Sequence, residues 1–207
     1  PQPLPNLDFK IICANTLIPL GKINELDMDA KASLAVKELE KIRHDFFNVS
    51  SEEKLQLERR FKKVQTDLLS LRELTTKDNY DFYTKLYGFN PFDFESAPCS
   101  WFDAWWMFGI KQGFDIVIGN PPYIKEPTSR KAFDGFRKTK YYQGKMDLWY
   151  GFACVMLDNL KTDTGILTFI ATNNWVTNAG ASKFRNKVVE DAQILQLIDF
   201  GNYKIFE

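Results

Sequence analysis

Asn120, Pro121, Pro122 and Tyr123 follow directly on an apolar run in the stretch FDIVIGNPPY. Proline has no N–H to give a strand ladder and fixes φ, so the strand expected over Phe114–Gly119 must end here in a rigid turn. The Asn120 side chain offers a carbonyl acceptor, and the stiff turn aims the Pro121 backbone carbonyl as a second. Tyr123 adds a π-face. Two acceptors beside a ring make a receptor for an exocyclic amine or a carboxamide carried on a planar group. The plainer reading is a proline-rich turn whose asparagine only caps the backbone. A tetrapeptide that occurs by chance in about one in a thousand chains of this size, placed after a buried strand, favours the receptor.

The residues after the turn carry charge. From 125 to 145 there are seven basic residues (Lys125, Arg130, Lys131, Arg137, Lys138, Lys140, Lys145) against Glu126 and Asp134, with Phe133, Phe136, Tyr141 and Tyr142 between them. A basic, aromatic loop beside an amine receptor suits phosphate contact. A solvated basic loop is the alternative. Glu52-Glu53-Lys54 matches the ExK of restriction nucleases, yet it opens a charged helix and has no evident partner aspartate, so it reads as chance. His44 is the single histidine, and Cys13, Cys99 and Cys154 are widely spaced, so a metal site is not expected and the thiols read as reduced.

These residues need elements to hold them. Phe9–Ile18 is apolar and β-branched, a candidate buried strand that breaks at Asn15-Thr16. Met28, Ala32, Ala35, Leu39, Ile42, Phe46 and Val49 recur at spacings of four and three, as do Leu57, Phe61, Val64, Leu68 and Leu71. Ser50 with Glu53 forms a capping box between the two runs. They predict an antiparallel helical hairpin over 25–78. The aromatics of WFDAWWMFGI lack interleaved basic residues and read as core. Beyond FDIVIG come a helix over MDLWYGFACVMLDNL, a buried strand over TGILTFIAT, a helix over ASKFRNKVVEDA and a strand over ILQLIDF. Strands alternating with helices indicate an α/β domain with a mostly parallel sheet, whose ligands bind at the carboxyl ends of strands.

The chain has 207 residues and equal numbers of acidic and basic side chains, 27 each, so net charge makes no case for a polyanion partner. No apolar run reaches the roughly 20 residues of a membrane span and no signal peptide opens the sequence, so a cytoplasmic protein is expected. The proline-punctuated start and the end just after a strand suggest a piece of a longer polypeptide.

FDIVIGNPPYI resembles motif IV of the amino-methyltransferases that use S-adenosylmethionine. The order of elements resembles the gamma-class adenine-N6 DNA methyltransferases of type IIS and IIG restriction–modification enzymes. LDFKIICANTLI is similar to their motif III strand and KMDLWYGFACVML to the helix with the motif V aspartate-leucine-aromatic. GILTFIATNNWV resembles the strand that follows, and LIDFGNYKIFE the lead-in to motif VIII. The resemblance implies a partial Rossmann-like methyltransferase fold at 1–24 and 79–207, interrupted by the helical hairpin at 25–78. It implies double-stranded DNA as partner, a flipped adenine whose N6 is held by Asn120 and Pro121, and Tyr123 stacked on the base. Asn15, with Asn120, would contact the cofactor, although many relatives carry aspartate at that position. Lys125, Arg130, Lys131, Arg137, Lys138 and Lys140 would meet DNA phosphates.

The family's glycine-rich loop and ribose-binding acid are missing, since no GxG occurs in the chain. Half a cofactor pocket is expected, and so are an inactive isolated chain and self-association through an uncovered sheet edge. The same receptor also fits a protein-glutamine or RNA amino-methyltransferase. A non-catalytic helical-hairpin module on a degenerate methyltransferase fold is a further alternative.

Overall fold

The computed structural model describes residues 10–22, 30–46, 49, 51–71, 76–92, 98–201 and 203. The chain divides into two compact units, 1–111 and 112–207. Ser50, Met28 and Phe9 lie outside the described residues, so the capping box, the first seam position and the start of the first expected strand lie there too.

In the first unit the two periodic runs form α1 (Ala30–Asp45) and α2 (Ser51–Ser70), followed by α3 (Lys77–Tyr87) and the short α4 (Ala104–Phe108). The seam faces inward: Ala32, Leu39, Ile42, Phe61 and Leu68 are buried together with Phe82, Leu86, Trp101 and Met107. Side chains of this size stabilise by about 1.5–3 kcal/mol each when fully buried. Two polar side chains inside this core, Gln65 and Arg43, bond to backbone carbonyls. Gln65 donates from Nε2 to the Leu86 and Phe89 carbonyls, at 2.7 Å each, and so closes the end of α3. Arg43 donates to the Trp105 and Trp106 carbonyls and lies 4.2 Å from the Trp105 ring centre. The five-residue α4 survives because both ends are capped. Asp103 accepts from the Trp106 N–H at 2.8 Å, and Gly109 at φ 75° ends the helix with its own N–H on the Trp105 carbonyl. The aromatics expected in the core are there.

The stretch expected as the first strand is not one. Residues 10–18 run through turns, joined to 99–102 only by the isolated parallel bridges Ala14–Cys99 and Pro19–Phe102. The turn at Thr16-Leu17 and the following Pro19 stop a ladder from extending.

The second unit is a βαβ arrangement. β1 (Ile116–Gly119) pairs in parallel with β2 (Ile166–Phe169), with Ile116 opposite Ile166 and Gly119 opposite Phe169. Between them lies α5 (Leu148–Asp158), and α6 (Ser182–Asp191) follows. Parallel neighbours need such a crossover. Both strands were expected to be buried, and the structure corrects this. Val117, Leu167 and Phe169 are half-buried on one face, while Ile116 and Ile118 on the other are 61% and 80% exposed. Strand side chains alternate between faces, and α5 packs against β2. The expected strand ILQLIDF also fails to form: residues 192–200 belong to no helix or strand and are exposed. Strands exist only as pairs, and this stretch has no ladder partner among the described residues. Asp199 instead accepts from Asn173 Nδ2 and the Gly201 N–H.

Candidate active site

β1 ends at Gly119 and delivers Asn120 to the carboxyl end of the two-stranded parallel sheet. Asn120, Pro122 and Tyr123 are exposed there, and Pro121 is buried. The Tyr123 hydroxyl lies 2.8 Å from Asn120 Oδ1 and 2.7 Å from the Ile170 carbonyl, and its single proton serves both acceptors. Ile170 stands just past β2 and donates its own N–H to the Gly119 carbonyl. The phenol therefore pins the turn to the ends of both strands and orients the Asn120 amide. Its ring stays 39% exposed, accessible for stacking.

The chain next pairs with the entry to α5. Leu148 N–H donates to the Ile124 carbonyl at 2.8 Å, Glu126 N–H to the Met146 carbonyl at 3.0 Å, and Lys125 and Asp147 form an antiparallel bridge. Asp147 is 1% exposed, and its Oδ1 has no hydrogen-bond partner among the described residues. Burial pushes its carboxyl above the usual aspartate range, against the backbone N–H of Trp149 and the charge of Lys125. The Tyr123 phenol is raised too, first by burial and then by the Asp147 charge.

The basic loop is an organised structure. Glu126 is its hub, accepting from the Tyr142 hydroxyl, from the Lys145 N–H at 2.7 Å and from Arg137 Nε at 3.2 Å. The Tyr142 hydrogen bond leads the effects that hold the Glu126 carboxyl below its ordinary range. Phe133 and Phe136 are buried beneath two short 3-10 turns, Arg130–Phe133 and Phe136–Lys138. Gly151 of α5 makes room for this, since a Cβ there would meet the Phe136 ring at 2.4 Å. A Cβ at Gly180 would strike the Lys145 carbonyl oxygen at 2.2 Å, so both glycines allow the loop its close approach.

The candidate basic residues thus divide. Arg137 is half-buried and directs its guanidinium to Glu126, Asp134 and the Arg130 carbonyl. Lys140 pairs with Asp158 at 2.9 Å. Lys125, Arg130, Lys131 and Lys138 are exposed. Asn15 lies in the first unit, exposed, with its Oδ1 accepting the Leu17 N–H at 3.2 Å in a local turn. The ExK residues sit in the first turn of α2, and His44 is exposed.

Sequence reading missed two features. One is the burial of Asp147, which the sequence showed only as the aspartate of the motif V resemblance, set in the apolar run just before α5. The other is a polar lattice past β2. Trp149 Nε1 donates to Thr172 Oγ1, Tyr150 Oη to Asn174 Oδ1, and Asn178 Nδ2 to Tyr150 Oη, with Phe184 stacked on Tyr150 at 5.9 Å. Its only trace in the sequence is the polar ending of TGILTFIATNN. Among the described residues, no His, Cys, Asp or Glu side chains converge as a metal site, and no helix is long and apolar enough to cross a membrane.

Comparison with known proteins relates the sequence of this chain to restriction-modification methylases. The family of Eco57I restriction-modification methylases matches residues 22–206. The type II methyltransferase M.BanIII of Aneurinibacillus aneurinilyticus is 27% identical over 93 residues, covering 44% of this chain and 16% of that protein. The type II restriction enzyme and methyltransferase RM.Eco57I of Escherichia coli is 27% identical over 99 residues, 45% of this chain and 10% of that protein. The matched part is thus a small fraction of either relative. No solved structure matches the chain.

Proposed function

The chain belongs to the Eco57I restriction-modification methylase family, and from that premise we propose that Asn120–Tyr123 is the amine receptor of a DNA methyltransferase acting on N6 of an adenine turned out of the duplex. What supports this most is the placement of the turn. Acceptors stand at the carboxyl end of a parallel βαβ unit, beside an exposed tyrosine ring. Asn120 Oδ1 and the Pro121 carbonyl accept from the amine, which draws its lone pair out of the purine and onto nitrogen. Tyr123 stacks on the base. No strong base is needed, because positioning and fixed dipoles carry the reaction.

S-adenosylmethionine, when bound, supplies the electrophilic methyl group. Asn15 and Asn120, both exposed, are the residues that the family resemblance assigns to it. In this proposal 1–24 and 79–207 belong to a Rossmann-like methyltransferase domain and 25–78 is a helical insertion. Lys125, Arg130, Lys131 and Lys138 meet phosphates, while Arg137 and Lys140 shape the loop that presents them. A nuclease segment elsewhere in the full-length protein is part of the same reading, resting on the double name of the Escherichia coli relative.

The test is Asn120→Ala in the full-length protein, assayed for methyl transfer to duplex DNA beside protein and RNA substrates. Turnover on DNA should fall by roughly 10²-fold or more with little change in melting temperature. Near-normal turnover sinks the reading. Transfer to the protein or RNA substrate instead of DNA would move the receptor to a glutamine carboxamide or an RNA amine.

A further inference from the structure

Asp147, the aspartate of the motif V resemblance, is a buried acid to which the receptor above gives no role. Its backbone is bridged to Lys125, two residues after Tyr123, and the flanking bonds Leu148 N–H to Ile124 and Glu126 N–H to Met146 hold it in that register. It stands immediately before the first residue of α5, where an aspartate ordinarily bonds a free helix N–H through its side chain. The carboxyl feels the Trp149 and Leu148 N–H groups but makes no well-formed cap bond to either. Oδ1 is instead shielded from solvent and left without a hydrogen-bond partner among the described residues. A buried carboxylate oxygen without a partner costs stability, and such a cost persists at sites that complete themselves with a ligand. The charged and titratable groups that face it are Lys125, Tyr123 and Tyr150.

We propose that the Asp147 carboxylate is a positioning residue of the amine receptor, a buried negative charge that offsets the positive charge developing on the amine during methyl transfer. The inference rests on the Asn120 reading. As the nitrogen lone pair forms the new N–C bond, the methyl–sulfur bond breaks with its electrons left on sulfur, and the nitrogen is cationic until it releases a proton to water. Asn120 and Pro121 direct two acceptor dipoles at that nitrogen, and Asp147 adds a buried charge whose field reaches the Tyr123 phenol, where low polarity lengthens its reach.

Asp147→Asn isolates the charge, because asparagine has the same shape and caps helices equally well. Asp147→Ser, also a good cap, is the second variant. In the full-length protein, kcat on duplex DNA should fall about ten-fold or more with KM little changed. The wild-type protein should lose kcat as pH falls and protonates Asp147, and that acid limb should be absent from both variants. Stability gives a readout independent of activity. A carboxyl whose folded-state pKa is raised opposes folding once pH rises above that pKa, so the neutral variants should melt at the same or a higher temperature than wild type at neutral pH. The wild type should close that gap as the medium is acidified. Unchanged kcat and pH profile, with a lower melting temperature, would make Asp147 a helix cap and overturn the proposal. So would failure of both variants to fold. If Asn120→Ala abolishes turnover while Asp147→Asn leaves it intact, the receptor stands and only this inference falls. If Asn120→Ala is active, both fall.

Discussion

Arg43 and Gln65 of the first unit and Asp147 of the second are buried polar groups with different surroundings. In the first, Arg43 and Gln65 sit inside an aromatic core with their N–H groups on backbone carbonyls. In the second, Asp147 is equally buried yet keeps one oxygen without a hydrogen-bond partner among the described residues, and the Tyr123 hydroxyl is shared between Asn120 and the Ile170 carbonyl at the surface. The first arrangement closes hydrogen bonds that would otherwise be lost, which is what stability asks of a core. The second leaves capacity open at the end of a strand, which is what a receptor needs. Substitutions should therefore unfold the first unit and silence the second.

Phe61→Ala makes the largest break in that contrast. Phe61 is 3% exposed, with its ring 5.5 Å from Phe92, and its truncation should cost about 3–5 kcal/mol in denaturant unfolding. A loss below about 1 kcal/mol would show that the first unit tolerates gaps as a surface does. Neutralising Arg130, Lys131 and Lys138 together comes next. All three are exposed, so stability should hold while DNA affinity falls for every sequence. Its salt dependence should flatten by up to about one unit of log–log slope per lost phosphate contact. An unchanged slope makes the loop a solvated surface. The smallest effect belongs to Tyr123→Phe, which keeps the ring and removes the tie to Asn120 and Ile170. Turnover should drop several-fold, up to about ten-fold, and stability by about 1 kcal/mol or less, since one partly exposed hydrogen bond is lost. A stability loss as large as that of Phe61→Ala would erase the distinction between the units.

Local pattern determined a good deal. The seam of Leu39, Ile42, Phe61 and Leu68, the helix after Asp147, the strands ahead of Asn120 and Asn173 and the turn at Asn120–Tyr123 were all legible. Each depends on neighbours a few residues apart, through helical spacing, β-branched runs and the rigidity of proline. The apolar stretches Phe9–Ile18 and Ile194–Phe200 look equally strand-like in sequence, yet neither forms a strand among the described residues. A strand's hydrogen bonds come from another segment, and no local pattern says whether that segment is in place. Tertiary structure also sorted the basic loop, where Arg137 and Lys131 are alike by type. Arg137 faces inward to Glu126 because Phe133 and Phe136 are anchored below, the latter against Gly151. It likewise turned Asp147 from an ordinary helix-capping acid into a buried carboxylate with one oxygen left without a hydrogen-bond partner. Burial and partnership depend on packing from residues distant in the chain, so composition could name the groups but not which of them would be left open.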